Sequence, residues 1–303
     1  MARQAAKQPA KRTSKKPVPQ TKVGAKTSNV LVLSRKSLAV IGRNWRFFLW
    51  FMVVYAALNI LLVHNFVSDV GSLRDQVQQL FGGTNQALTN TGTYVLLVAN
   101  QSSASGAAGV YQYMLMIVGS LALIWAIRQF MSDNPPQSLR VRDAYYEGLY
   151  PLATFVLVLV VLALELLPLI FGGTVYSLVV TGGVASSGFE QVFWGLVFLG
   201  AIMLSGWLIL RSIFALYIVT LPGMTPIAAL QHAARVTSGY KLNMVRKFVF
   251  LFMIFAILSA IVMVPAIAFV PNAAQTVLFT LGLISLPVVH SYLYTMYREQ
   301  VGE

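Results

Sequence analysis

Residues 248–297 form a run of 50 positions without one Asp, Glu, Lys or Arg. A helix rising about 1.5 Å per residue crosses roughly 30 Å of hydrocarbon in about 20 residues, so the run is too long for one crossing. Val270-Pro271-Asn272 near its middle supplies the break, because proline lacks a backbone N–H and clashes with the preceding turn. The pattern predicts two spans, 248–269 and 276–296, joined by a tight turn. Only 10% of the whole chain is charged and 57% is hydrophobic, whereas a soluble domain is about one quarter charged. Most of the chain therefore has no water-facing surface to offer.

The same template finds four further spans, at 47–64, 108–127, 152–171 and 191–210, the last with an extension toward Val219. The expected fold is an all-α polytopic integral membrane protein with six transmembrane helices. An even number of spans puts both termini on one side. Lys and Arg accumulate in short cytoplasmic loops, and 21 of the 22 basic residues fall on the side of the termini, leaving Arg74 alone opposite. Both termini are expected in the cytoplasm of a cell whose cytoplasmic membrane holds the chain.

The net charge of +13 is concentrated at one end: residues 1–46 hold 12 basic residues and no acidic one. Residues 1–33 read as a disordered basic tail, since like charges repel and few apolar side chains precede Val30. The apolar run that follows is too long for a signal-peptide core and lacks a small-residue cleavage site, so it reads as an uncleaved anchor. Lys11, Arg12, Lys15 and Lys16 in the tail, with Arg43, Arg46, Lys241, Arg246 and Lys247 beside the spans, are candidate contacts for anionic phospholipid. Topology control alone would equally account for the tail. Nucleic acid is disfavoured as a partner because no aromatic residue for base stacking occurs in residues 1–44.

A short polar or basic approach and a glycine precede three of the spans, at 37–47, 138–148 and 225–239. Thr225-Pro226 gives an N-cap and a first-turn proline, and Gly239 a stop, so a helix of about three turns is expected there. Ile227, Leu230, Ala234 and Val236 against Gln231, His232 and Arg235 place it in the inner interface. The chain then divides into three units, 34–131, 132–220 and 221–303, each with an interfacial helix and two crossings. The first also carries an external loop, 67–107, in which 69–81 has the spacing of a short amphipathic helix.

The segment Phe214-Ala215-Leu216-Tyr217-Ile218-Val219, followed by Gly223-Met224-Thr225-Pro226-Ile227-Ala228-Ala229-Leu230 and Thr237-Ser238-Gly239, resembles a broad family pattern. That family comprises mostly uncharacterised six-helix bacterial inner-membrane proteins related to the membrane domain attached to some glycerophosphodiester phosphodiesterases. Members often carry an acid before the Ala-Leu pair and a base after it, where this chain has Ala228 and Gln231. The resemblance implies six helices and a bacterial cytoplasmic membrane but no reaction.

The residues themselves offer little chemistry. His64, His232 and His290 form no metal-ligand spacing, Gly82-Gly83 and Gly182-Gly183 lack the Lys-Ser/Thr of a phosphate loop, and no serine sits in a nucleophile elbow. No cofactor is expected. Three ionisable groups fall within or beside spans, where charge is costly. Glu165, two-thirds along the third span, is either an interfacial carboxylate near the outer face or a proton or cation site on a transport route. Arg211 is expected to snorkel to the inner headgroups and His290 to pack against a neighbouring helix. Gly195, Gly200, Ser205 and Gly206 read as a close-packing helix face. The leading expectation is a noncatalytic scaffold or envelope-maintenance protein in contact with lipid, with a homo-oligomer or another membrane protein as partner. A small-solute or ion transporter using Glu165 is the alternative.

Overall fold

A computed structural model of the chain describes residues 28–63, 107–136, 138–185, 187–238, 241–270 and 273–302. The described residues are almost wholly helical and contain no strand. In chain order the α-helices are α1 (Val30–Arg43), α2 (Trp45–Val63), α3 (Ala107–Phe130), α4 (Val141–Gly148), α5 (Leu152–Glu165), α6 (Leu167–Tyr176), α7 (Gly188–Ser212), α8 (Ala215–Ile218), α9 (Pro226–Thr237), α10 (Lys241–Phe269) and α11 (Ala274–Val301). A π-helical turn, Ser177–Thr181, continues α6. The external loop with its expected amphipathic helix, and Lys11, Arg12, Lys15 and Lys16, lie outside the described residues.

Six segments are long and apolar enough to cross a membrane: Trp45–Val63, Gly109–Phe130, Leu152–Val180, Gly188–Ile218, Leu242–Phe269 and Ala274–Val301. The chain is therefore a multi-pass membrane protein. Several spans run well past their expected ends. In the fourth, fifth and sixth spans the expected end stood at a charge, Arg211, Lys247 or Arg298, whereas the backbone ladder continues as long as the charged side chain can reach water or a partner; the third runs on through Gly172-Gly173. The uncharged run breaks after Phe269 and resumes at Ala274, on either side of Pro271.

α3 lies at the centre: half of its apolar window is buried, against 6% for Gly188–Ile218 on the periphery. Its core face, Leu121 to Ile127, meets Phe47, Phe48 and Phe51 of α2, Phe155 and Val158 of α5, the α8 region and Tyr292 of α11. The Phe47 and Phe130 rings meet edge to face at 5.1 Å, which sets the start of α2 level with the end of α3. α1 packs along α11 through Val30, Leu33 and Ser37, and the Ser291 hydroxyl donates to the Ser37 carbonyl at 2.9 Å. Residues 30–33, expected within the disordered tail, are thus the first turn of a docked helix.

A short helix does precede three of the spans, at α1, α4 and α9. Thr225 caps α9 by accepting from the Ala228 N–H at 3.3 Å, with Pro226 at the first helical position. The face that α9 turns toward the protein is its small-residue one. Ala229, Ala233 and Thr237 are buried while Ile227 is exposed, because small side chains let α9 sit close against α7, α5 and α8.

Close approach also explains the glycines that matter. A Cβ on Gly148 would meet the Ala122 Cα at 2.9 Å, so α4 crosses α3 only because that atom is missing. Of the expected close-packing residues of α7, Ser205 meets α6 by accepting the Leu169 N–H, and Phe198 and Ala201 face Gly172 and Gly173 of α6, whereas Gly195, Gly200 and Gly206 have nothing within 4 Å of an added Cβ. Gly148→Ala should destabilise by about 1–3 kcal/mol, as overpacking does, and lower the melting temperature of the detergent-purified protein. Gly195→Ala should leave it unchanged or raise it.

Candidate functional site

Cations gather at one end of the bundle. Arg46 begins α2 beside the Phe47–Phe130 contact, the Arg298 guanidinium donates to the Met131 carbonyl just past α3, and Arg246 adjoins Lys247, whose partner Glu299 lies one residue beyond Arg298. The opposite end, formed by Val63, Gly109 and residues 181–185, 187–190, 269–270 and 273–274, carries no cation among the described residues. Arg43, Arg46 and Arg246 are exposed and meet no carboxylate within 4.0 Å among the described residues. The Arg46 guanidinium sits 5.7 Å from the Trp45 ring centroid, an exposed cation–π contact at the start of the span. Of Lys241 only the backbone is described.

Lys247 does not contact lipid. Its side chain is 1% exposed and its Nζ lies 2.6 Å from Glu299 Oε2. The other Glu299 oxygen accepts the Ser28 N–H, and the Tyr292 hydroxyl donates to the Lys247 carbonyl at 3.2 Å. A buried ammonium is tolerable only with a close counter-charge, and here the pair ties α10, α11 and the residues leading into α1 together. Glu299 went unnoticed in the sequence, although the paired charges Lys247 and Arg298-Glu299 bounding the uncharged run were a usable signal.

Glu165 ends α5 at a break in its span. Glu165 lies near the middle of the apolar helical segment Leu152–Val180, level with Ser212 of α7. The Ser212 hydroxyl donates to its Oε1 at 2.5 Å, and Oε2 is buried without a protein partner among the described residues. Arg211 supplies the nearby positive charge while lying exposed with its guanidinium 5.6 Å from the Trp207 ring centroid. At the break, Pro168 opens α6 and the Leu169 N–H donates to the Ser205 hydroxyl at 3.0 Å. A side chain on the neighbouring span thus satisfies a backbone group freed at the break within the apolar segment.

His290 is half-buried in the third polar site. Its Nδ1 lies 3.2 Å from the Tyr217 hydroxyl and its Nε2 3.1 Å from the Ser120 hydroxyl, so it links α11, α8 and α3. Among the described residues no group of three His, Asp or Glu side chains could hold a metal ion. Glu165 and Arg211 therefore share one site, His290 stands in another, and the cationic residues form a third region at the bundle end.

Comparison with known proteins finds no matching family model, no matching curated protein and no matching solved structure. The fold defines the class, a helical multi-pass membrane protein with six candidate spans.

The Lys247–Glu299 pair can be weighed directly. Lys247→Met or Glu299→Gln alone leaves one charge buried and should cost about 3–5 kcal/mol, seen as a large fall in melting temperature in detergent. Lys247→Met with Glu299→Met removes both charges and should recover most of that loss.

Proposed function

We propose that this chain is a noncatalytic integral protein of a bacterial cytoplasmic membrane, a scaffold or envelope-maintenance component that engages anionic phospholipid at its cytoplasmic face. Both termini lie on that face, and the chain is built as three units, each a short surface helix followed by two crossings. The observation that carries the reading is the set of exposed cations without carboxylate partners at one end of the bundle. Cations near a membrane surface are worth about 1 kcal/mol each toward anionic lipid. Arg35, Lys36 and Arg43 on the outer side of α1 extend the same surface toward the basic tail.

In proteoliposomes, spin-labelled phosphatidylglycerol should be immobilised by the protein in preference to spin-labelled phosphatidylcholine. Arg43→Gln, Arg46→Gln and Arg246→Gln together should abolish most of that preference, and so should high salt. A preference unchanged by the triple substitution contradicts the reading.

A second reading, transport of protons or small cations, draws on the broken third span. An unpartnered carboxylate oxygen beside a mid-membrane helix break is the arrangement that discontinuous helices use to hold ions. Reconstituted protein would then carry a proton or cation flux that Glu165→Gln removes. Absence of flux in the wild-type protein leaves the scaffold reading in place.

A further inference from the structure

A cavity of about 590 Å³ opens where the end of α3, the α4–α5 junction and the loop from α8 to α9 meet. Its walls are of two kinds. Leu121, Trp125 and Val219 are apolar and lie toward the core, whereas Arg128, Glu147 and Thr154 bring a cation, a carboxylate and a hydroxyl to the same space. The Arg128 guanidinium is held in place by donating from one Nη to the Thr220 carbonyl at 2.8 Å. A guanidinium has five N–H donors, so most of its capacity is left over, and no carboxylate lies within 4.0 Å of it among the described residues. Glu147 is exposed at the rim and pairs with no cation within that distance. Opposite charges thus share one cavity without neutralising each other. They leave room for a ligand with the complementary pair.

The cavity lies at the end of a membrane span, one turn from Phe130, the last residue of α3. A ligand there meets apolar walls at one end and two fixed, opposite charges at the other. We infer that this cavity takes the headgroup of a zwitterionic phospholipid bearing a primary ammonium, its phosphate on Arg128 and its ammonium on Glu147, with the glycerol and first acyl carbons against Leu121 and Trp125. Guanidinium and phosphate match in geometry and charge. A primary ammonium has the N–H groups that a carboxylate accepts, and a trimethylated one does not. Glu147 also disfavours a headgroup carrying negative charge alone. The volume falls within the usual range of small-molecule sites, roughly 300–1,000 Å³. The site needs neither Arg43, Arg46 and Arg246 nor a particular membrane side, so its failure and that of the anionic-lipid reading are separable.

Native mass spectrometry of the full chain, released from detergent after equilibration with equal amounts of phosphatidylethanolamine, phosphatidylglycerol and phosphatidylcholine, tests the assignment. In the Arg43→Gln, Arg46→Gln, Arg246→Gln protein, which lacks the exposed anionic-lipid contacts, one phosphatidylethanolamine should be retained over each of the others by about fivefold, the worth of one charge-assisted hydrogen bond at an exposed rim. Glu147→Gln, at an exposed position that folding does not depend on, should bring phosphatidylethanolamine down to the level of phosphatidylglycerol. Arg128→Gln should release both lipids, and Thr154→Trp should block retention with both charges in place. Equal retention of the three lipids by that triply substituted protein overturns the proposal. So does a preference untouched by Glu147→Gln and Thr154→Trp. Displacement of the lipid by inorganic phosphate would show a simple anion site and overturn it as well.

Discussion

A polar group in hydrocarbon must find its partner within the protein, and this requirement governs the molecule. Water is absent over most of the surface of the six spans, so every backbone N–H and every charge that stays inside needs an answering group. The helical ladders meet the requirement for most of the backbone. Where the ladder breaks, at Leu166, the Ser205 hydroxyl takes the Leu169 N–H. Where a charge enters the packed interior, at Lys247, Glu299 meets it at 2.6 Å. Where an imidazole sits between helices, at His290, one hydroxyl stands at each ring nitrogen.

The same requirement sorts the remaining charges outward. Arg43, Arg46 and Arg246 have no internal carboxylate among the described residues and lie exposed at the ends of helices. Arg128 and Arg298 donate to backbone carbonyls at Thr220 and Met131, where they close the cation-rich end of the bundle. One end of the protein therefore both binds its helices together and presents positive charge. The other end, among the described residues, does neither with cations. A lipid-engaging scaffold is the reading that uses this asymmetry, and the three short helices at α1, α4 and α9 are the elements it would work through.

Much of the architecture was legible because composition in a membrane is a strong constraint. The uncharged run from 248 to 297 had to turn, and it turns beside Pro271. Span ends were less legible: Lys247 reads as a surface cation until a carboxylate 52 positions away is brought against it. Contacts of that sequence separation leave no periodic trace. The inward packing of α9 through Ala229 and Ala233 was not legible, because small residues carry little hydrophobic signal although close helix packing selects for them. Glu165 stood out as an ionisable group within a span, but its partner Ser212 lies on another helix 47 positions away and leaves no local trace. The cavity at Arg128 and Glu147 joins residues from three separate segments and has no sequence signature at all.

The side of the membrane that the cation-rich end faces decides whether it can serve as a cytoplasmic lipid-engaging surface. The chain has no cysteine, so single cysteines can be introduced without background. Ser132 is exposed just past α3 at the cation-rich end, and Val184 is exposed at the other, between the third and fourth spans. In intact cells a membrane-impermeant maleimide should label Val184→Cys and spare Ser132→Cys until the membrane is opened. Labelling of Ser132→Cys from outside, with Val184→Cys protected, would contradict the account.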